Sequence, residues 1–102
     1  MFVKIAKVSD LASGESLCAE VAGNQIALFN LNGEYCAIDN SCPHRGGPLS
    51  EGFIDLARLT VQCPWHGWTF NCTSGESSNI PNARVQKFAV KVEGDEIHVE
   101  ID

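Results

Sequence analysis

Two short segments, Cys42-Pro43-His44 and Cys63-Pro64-Trp65-His66, must come together whatever the rest of the chain does. Each offers one thiol and one imidazole, and residues 45–62 separate His44 from Cys63. Proline follows each cysteine and fixes its own φ, which stiffens both bends. Thiolate and imidazole are ligands for transition metals. Four such groups make one site only where the fold presents two tight loops side by side.

The remaining pattern is one of strands. Phe2 to Val8 reads as a first strand, followed by a polar turn whose helical start Ser9 is placed to cap. Ser16 to Ala22 and Gln25 to Leu31 read as strands around Gly23-Asn24. Asn32-Gly33 then marks a tight hairpin returning through Glu34 to Ile38. The first Cys/His loop spans Asp39 to Gly52, and Leu59 to Gln62 leads as a strand into the second, Cys63 to Gly67. Trp68 to Phe70 is a short strand, Asn71 to Ser78 a polar turn, and Ile80 to Ala83 a third loop. Near the C-terminus, Phe88, Val90 and Val92 alternate with Lys87 and Lys91. After Glu93-Gly94-Asp95, Ile97, Val99 and Ile101 alternate with Glu96, His98 and Glu100. Such period-two patterning predicts a hairpin with one buried face, with His98 on the solvent side. Many short strands with Gly-rich turns predict a small all-β antiparallel sandwich or barrel.

Length and charge narrow the function. A chain of 102 residues makes one small domain, spanning 1–102. A net charge of −6 argues against nucleic-acid backbone and anionic membrane as partners. No apolar stretch is long enough to span a bilayer. The N-terminus lacks the apolar core and small-residue cleavage site of a signal peptide, so a cytoplasmic location is expected. Of the five cysteines, Cys18, Cys36 and Cys72 lie outside the two segments. An odd number fits a reducing compartment, with these three as free, structural thiols.

The ligand set selects the centre. Two cysteines and two histidines suit a [2Fe–2S] cluster in which imidazole replaces thiolate on one iron. Two ferric ions, two sulfides and two thiolates sum to zero formal charge when both imidazoles are neutral. An electron enters a neutral centre more readily than an all-cysteine one, so the potential rises. Gly46, Gly47, Gly52 and Gly67 would let backbone pass close to the cluster. Zinc is the alternative, but its fingers pair like ligands, C-x₂₋₄-C with H-x₃₋₅-H, whereas each pair here is mixed. A catalytic Cys–His dyad would leave the second matched pair unexplained.

Cys42-Pro-His-Arg-Gly-Gly-Pro-Leu-Ser-Glu-Gly and Cys63-Pro-Trp-His-Gly-Trp-Thr-Phe resemble the two binding boxes of Rieske-type ferredoxins and Rieske oxygenase domains. The resemblance implies three stacked antiparallel sheets with a cluster-binding subdomain, residues 40–83, at one tip. It implies Cys42 and Cys63 on one iron, and His44 and His66 on the other through their δ nitrogens. It also implies that Pro81 covers the cluster from a third side. Rieske proteins of cytochrome bc complexes carry an extra disulfide where this chain has Gly47 and Trp65. They also carry serine and tyrosine hydroxyls where it has Trp68 and Phe70. Losing those donors disfavours the reduced state, so a potential near the low end of the Rieske range, about −150 mV, is expected.

The wording of the second box also resembles ring-hydroxylating oxygenases, which need a further site of two histidines and a carboxylate. With three histidines in the chain, only His98 would remain for it. The expected function is therefore one-electron transfer without catalysis. A flavin- or iron–sulfur-containing reductase would be the donor, a terminal oxygenase the acceptor, and the carrier a monomer. The alternative implied by resemblance is a small subunit of an assimilatory nitrite reductase. Trp65 and Trp68 are expected to pack against the cluster loops, with partner contact as the alternative, and Arg45 is either a docking contact or a plain surface charge.

Overall fold

The computed structural model describes residues 1–43 and 46–101. Its strands are β1 (Phe2–Lys7), β2 (Ser16–Val21), β3 (Asn24–Leu31), β4 (Glu34–Asp39), β5 (Phe53–Asp55), β6 (Thr60–Gln62), β7 (Thr69–Asn71), β8 (Lys87–Phe88), β9 (Val90–Glu93) and β10 (Glu96–Glu100). They form three antiparallel sheets, ordered β1-β10-β9, β2-β3-β4-β8 and β5-β6-β7. No α-helix occurs among the described residues.

β3 explains the layering. From Ile26 to Leu31 every residue is buried, because both faces of the strand are covered. Ile26 and Leu28 point into a core shared with Ile97, Val99 and Ile101. Ala27, Phe29 and Leu31 point the other way, into a core shared with Leu49, Val61 and Phe70. The four-stranded sheet is thus the middle layer, and β5-β6-β7 stacks on its second face. Asn30, buried within this run, keeps its polar atoms satisfied. It donates to Leu11 O at 2.9 Å and accepts from Gly33 N–H at 2.7 Å.

Two turns of this sheet make a natural comparison. Asn32 opens the β3–β4 turn at φ 58°, and Ala22 opens the β2–β3 turn at φ 50°. Asparagine tolerates the left-handed region, whereas alanine is strained there by about 1 kcal/mol. Ala22→Asn is therefore expected to stabilise the fold by about 1 kcal/mol. A denaturant midpoint unchanged or lowered relative to wild type would refute this.

Three sequence expectations need correction. Ser9 does not cap the turn after β1; Asp10 does, its Oδ2 accepting from Lys7 N–H at 2.9 Å. The expected C-terminal strand is split between sheets. Phe88 pairs with Ala37 in the middle layer, while Val90 pairs with Val99 in the outer one. Val92 consequently lies on an edge strand and is 44% exposed. His98 is half-buried rather than solvated, because Lys4 and Lys91 flank it on the neighbouring strands.

Candidate metal centre

The two Cys/His loops are the same turn built twice. Cys42 N–H donates to Gly47 O at 2.9 Å, and Gly46 N–H to Cys42 O at 2.8 Å. In the second loop, Cys63 N–H donates to Trp68 O at 2.7 Å, and Gly67 N–H to Cys63 O at 3.2 Å. In each, the glycine four residues past the cysteine adopts positive φ, 74° at Gly46 and 80° at Gly67. That conformation closes the turn and is costly for residues with a Cβ.

Each loop is fastened at its base. The first leaves β4 through buried Asn40, whose carbonyl accepts from Leu49 N–H and whose Oδ1 accepts from Ser50 N–H, both at 2.8 Å. The second is held by Asn79 of the third loop, which donates to Gly67 O at 3.0 Å and accepts from Thr69 N–H at 3.0 Å. Neither asparagine stood out in the sequence, since short-range motifs do not reveal a bridge between loops. Pro81 is exposed on that third loop.

These turns bring three of the four expected side chains together. The Sγ atoms of Cys42 and Cys63 and a ring nitrogen of His66 lie within 4.8 Å of one another. Both cysteines are buried and His66 is half-buried. The fourth expected ligand, His44, and its neighbour Arg45 lie outside the described residues. The His66 nitrogen facing the sulfurs is Nε2, 3.4 Å from Cys42 Sγ and 3.5 Å from Cys63 Sγ, where the resemblance implied Nδ1. Either nitrogen of a neutral imidazole can ligate a metal.

Packing around the sulfurs is close. A Cβ at position 47 would lie 2.6 Å from Cys63 Sγ and 3.2 Å from the Trp65 ring. Gly52 serves differently: a side chain there would run into the carbonyl oxygen of Gln62. Trp68 stacks edge-on against His66, centroids 5.4 Å apart, and packs half-buried on the inner core. Trp65 departs from expectation and is 62% exposed. It sits at the tip of its turn, between two side chains that face inward.

Two buried thiols and an imidazole on paired rigid turns form a donor set that fits an iron–sulfur centre. Residues 1–92 match the family model for the Rieske [2Fe–2S] domain. The chain belongs to the Rieske [2Fe–2S] family. It is similar to apoptosis-inducing factor 3 of Homo sapiens, 35% identical over 96 residues, which is 93% of this chain but 16% of that protein. The chain thus spans only a small part of the human relative. It is also similar to the 3-phenylpropionate/cinnamic acid dioxygenase ferredoxin subunit of Escherichia coli strain K12. Identity there is 34% over 95 residues, covering 92% of this chain and 88% of that one. Among solved structures, the ferredoxin of carbazole 1,9a-dioxygenase from Nocardioides aromaticivorans IC177 superposes with a TM-score of 0.91. It is 27% identical, and the match covers 97% of this chain and 96% of that one.

The three cysteines expected to be spare are not all free. Cys18 is exposed on β2, but Cys36 of β4 and Cys72, just after β7, are joined by a disulfide with Cα atoms 6.1 Å apart. Their meeting follows from stacking the third sheet on the middle layer, a contact between residues 36 apart in sequence. This bond corrects the expectation that Cys36 and Cys72 are free thiols. Among the described residues, no helix is long and apolar enough to cross a membrane.

Proposed function

We propose that Cys42, His44, Cys63 and His66 hold one [2Fe–2S] cluster in a small cytoplasmic electron carrier. The carrier takes one electron from a flavin- or iron–sulfur-containing reductase and passes it to a terminal oxygenase. The observation that carries the reading is the convergence of Cys42, Cys63 and His66 at the ends of two matched turns. The similarity to a dioxygenase ferredoxin subunit over 88% of its length supports the oxygenase as acceptor. The cluster supplies a one-electron couple. The chain's own residues do the rest. Cys42 and Cys63 contribute two negative charges from a buried position. Neutral imidazoles as the other two ligands would leave the oxidised site formally uncharged. Trp68 screens the His66 edge from water.

Trp65 is the natural anchor for the acceptor. A large aromatic side chain left in solvent beside the cluster loops is of the type that dominates protein interfaces. Trp65→Ala is expected to weaken oxygenase binding by about 2 kcal/mol, roughly thirtyfold in Kd, with iron content and potential unchanged. Equal affinity of variant and wild type would remove Trp65 from the docking face. With a net charge of −6, association with a basic partner face should slow as salt rises.

The decisive experiment is a reduction titration followed by mixing with a Rieske terminal oxygenase and its aromatic substrate. The reading expects one electron accepted per chain, and oxygenase turnover that depends on adding this protein. Substrate turnover by the chain alone would overturn it, as would uptake of no electron.

A further inference from the structure

The Cys36–Cys72 pair lies outside the electron-transfer site, yet it is tied to it mechanically. Cys36 belongs to the middle layer and Cys72 to the sheet that carries the second Cys/His loop. Apart from the peptide chain, this bond is the one covalent tie between layers among the described residues. Both cysteines line the core that also contains Cys42 and Cys63. From Cys72 the packing runs back along β7. Phe70, fully buried, lies 6.5 Å from Trp68, and Trp68 lies 5.4 Å from His66.

The bond also borders a cavity. Cys36 and Cys72 line a cavity of about 240 Å³ shared with Tyr35, Thr73, Lys87 and Phe88. Cys36 is the more open of the two, 7% against 1%. Lys87 lines the same cavity, and a cation beside an attacking thiol favours its thiolate form. Reversibility rests on the cytoplasmic location proposed above, where disulfides are typically transient or redox-sensing rather than permanent.

We propose that Cys36–Cys72 is a reversible thiol–disulfide site, reduced by a dithiol protein, that sets how firmly the cluster-bearing sheet is held to the middle layer. A thiolate of the reductant attacks Sγ of Cys36, and the Cys36–Cys72 bond breaks. A mixed disulfide forms, and the Cys72 thiolate leaves and takes a proton. The second thiol of the reductant, as thiolate, then attacks the mixed disulfide. Cys36 is released and protonated, and the reductant leaves as its own disulfide. The chain gains two electrons and two protons, and the reductant loses the same. Freed of its tie, the β5-β6-β7 sheet opens more easily and the iron centre is lost sooner. None of this depends on which enzyme accepts the electron.

The test uses the holoprotein, oxidised in air or treated with a thioredoxin-class dithiol, then alkylated and digested with trypsin. Trypsin leaves Cys36 on a peptide with Cys18 and Cys42, and Cys72 on one with Cys63, so fragmentation of the linked pair must place the bond at Cys36–Cys72. Cluster absorbance is followed in parallel under a chelator, with thermal unfolding recorded on the same samples. The linked peptide is expected in the oxidised sample and absent after dithiol treatment. Reduction should speed cluster loss at least about tenfold and lower Tm by more than about 10 °C. Holoprotein carrying Cys36→Ser and Cys72→Ser should lose its cluster at the fast rate with or without dithiol. The proposal is overturned if the peptide is never linked, or if reduction changes neither rate nor Tm. It also falls if dithiol accelerates loss equally in the double variant. Should that variant not fold, the wild-type comparison alone decides.

Discussion

Cys63→Ala is expected to leave the purified protein essentially without iron and without visible colour. The thiol is 1% exposed and converges with Cys42 and His66, so its loss removes one of the three donors that meet there. Losing an outer partner of a metal ligand typically costs 10–100-fold in affinity; losing the ligand itself should exceed about a hundredfold. The fold should survive, because the core between β3 and β10 lies on the far side of the middle layer and is untouched. Iron per chain and the visible spectrum measure the first claim, and circular dichroism the second. His66→Ala provides an independent version, since its ring is half-buried and its loss opens less space. A variant that kept a full complement of iron would show that these residues are not the ligands.

Gly47→Ala should be nearly as damaging, although it adds one methyl group and touches no ligand chemically. The new Cβ would stand 2.6 Å from Cys63 Sγ. The Trp65 ring, 3.2 Å away, can swing outward because it is exposed, but a sulfur held by iron could not. Gly47 is absent from the positions with positive φ, so the penalty is steric and not one of backbone strain. Overpacking of this kind costs about 1–3 kcal/mol, which corresponds to cluster release roughly five- to 150-fold faster. Loss of absorbance under a chelator measures it. Wild-type kinetics in Gly47→Ala would mean that the two loops are further apart than the structure has them.

Most of the scaffold was legible because it rests on local rules. Asn32-Gly33 announced its hairpin, and the alternation of Ile97, Val99 and Ile101 announced a buried strand face. The Cys/His boxes announced their turns, since proline and glycine act on backbone angles within a few residues. What escaped was long-range. The same alternation ran through Phe88, Val90 and Val92 without showing that the chain changes sheets at Ala89. Cys36 and Cys72 each read as an ordinary strand or turn residue until stacking brought them together. Trp65 read as a packing residue because large aromatics are usually buried, and only the turn's geometry turns it to solvent. Asn40 and Asn79 resemble any loop asparagine until their partners are in place.

A two-iron centre shared by sulfur and imidazole, with no hydroxyl donors at Trp68 and Phe70, should have a potential that protein-film voltammetry of the reconstituted protein can read. A single one-electron wave is expected near about −150 mV, the low end of the Rieske range. A wave near about −400 mV would mean all-cysteine ligation, and the absence of any wave would point to zinc; either would rule out the shared centre.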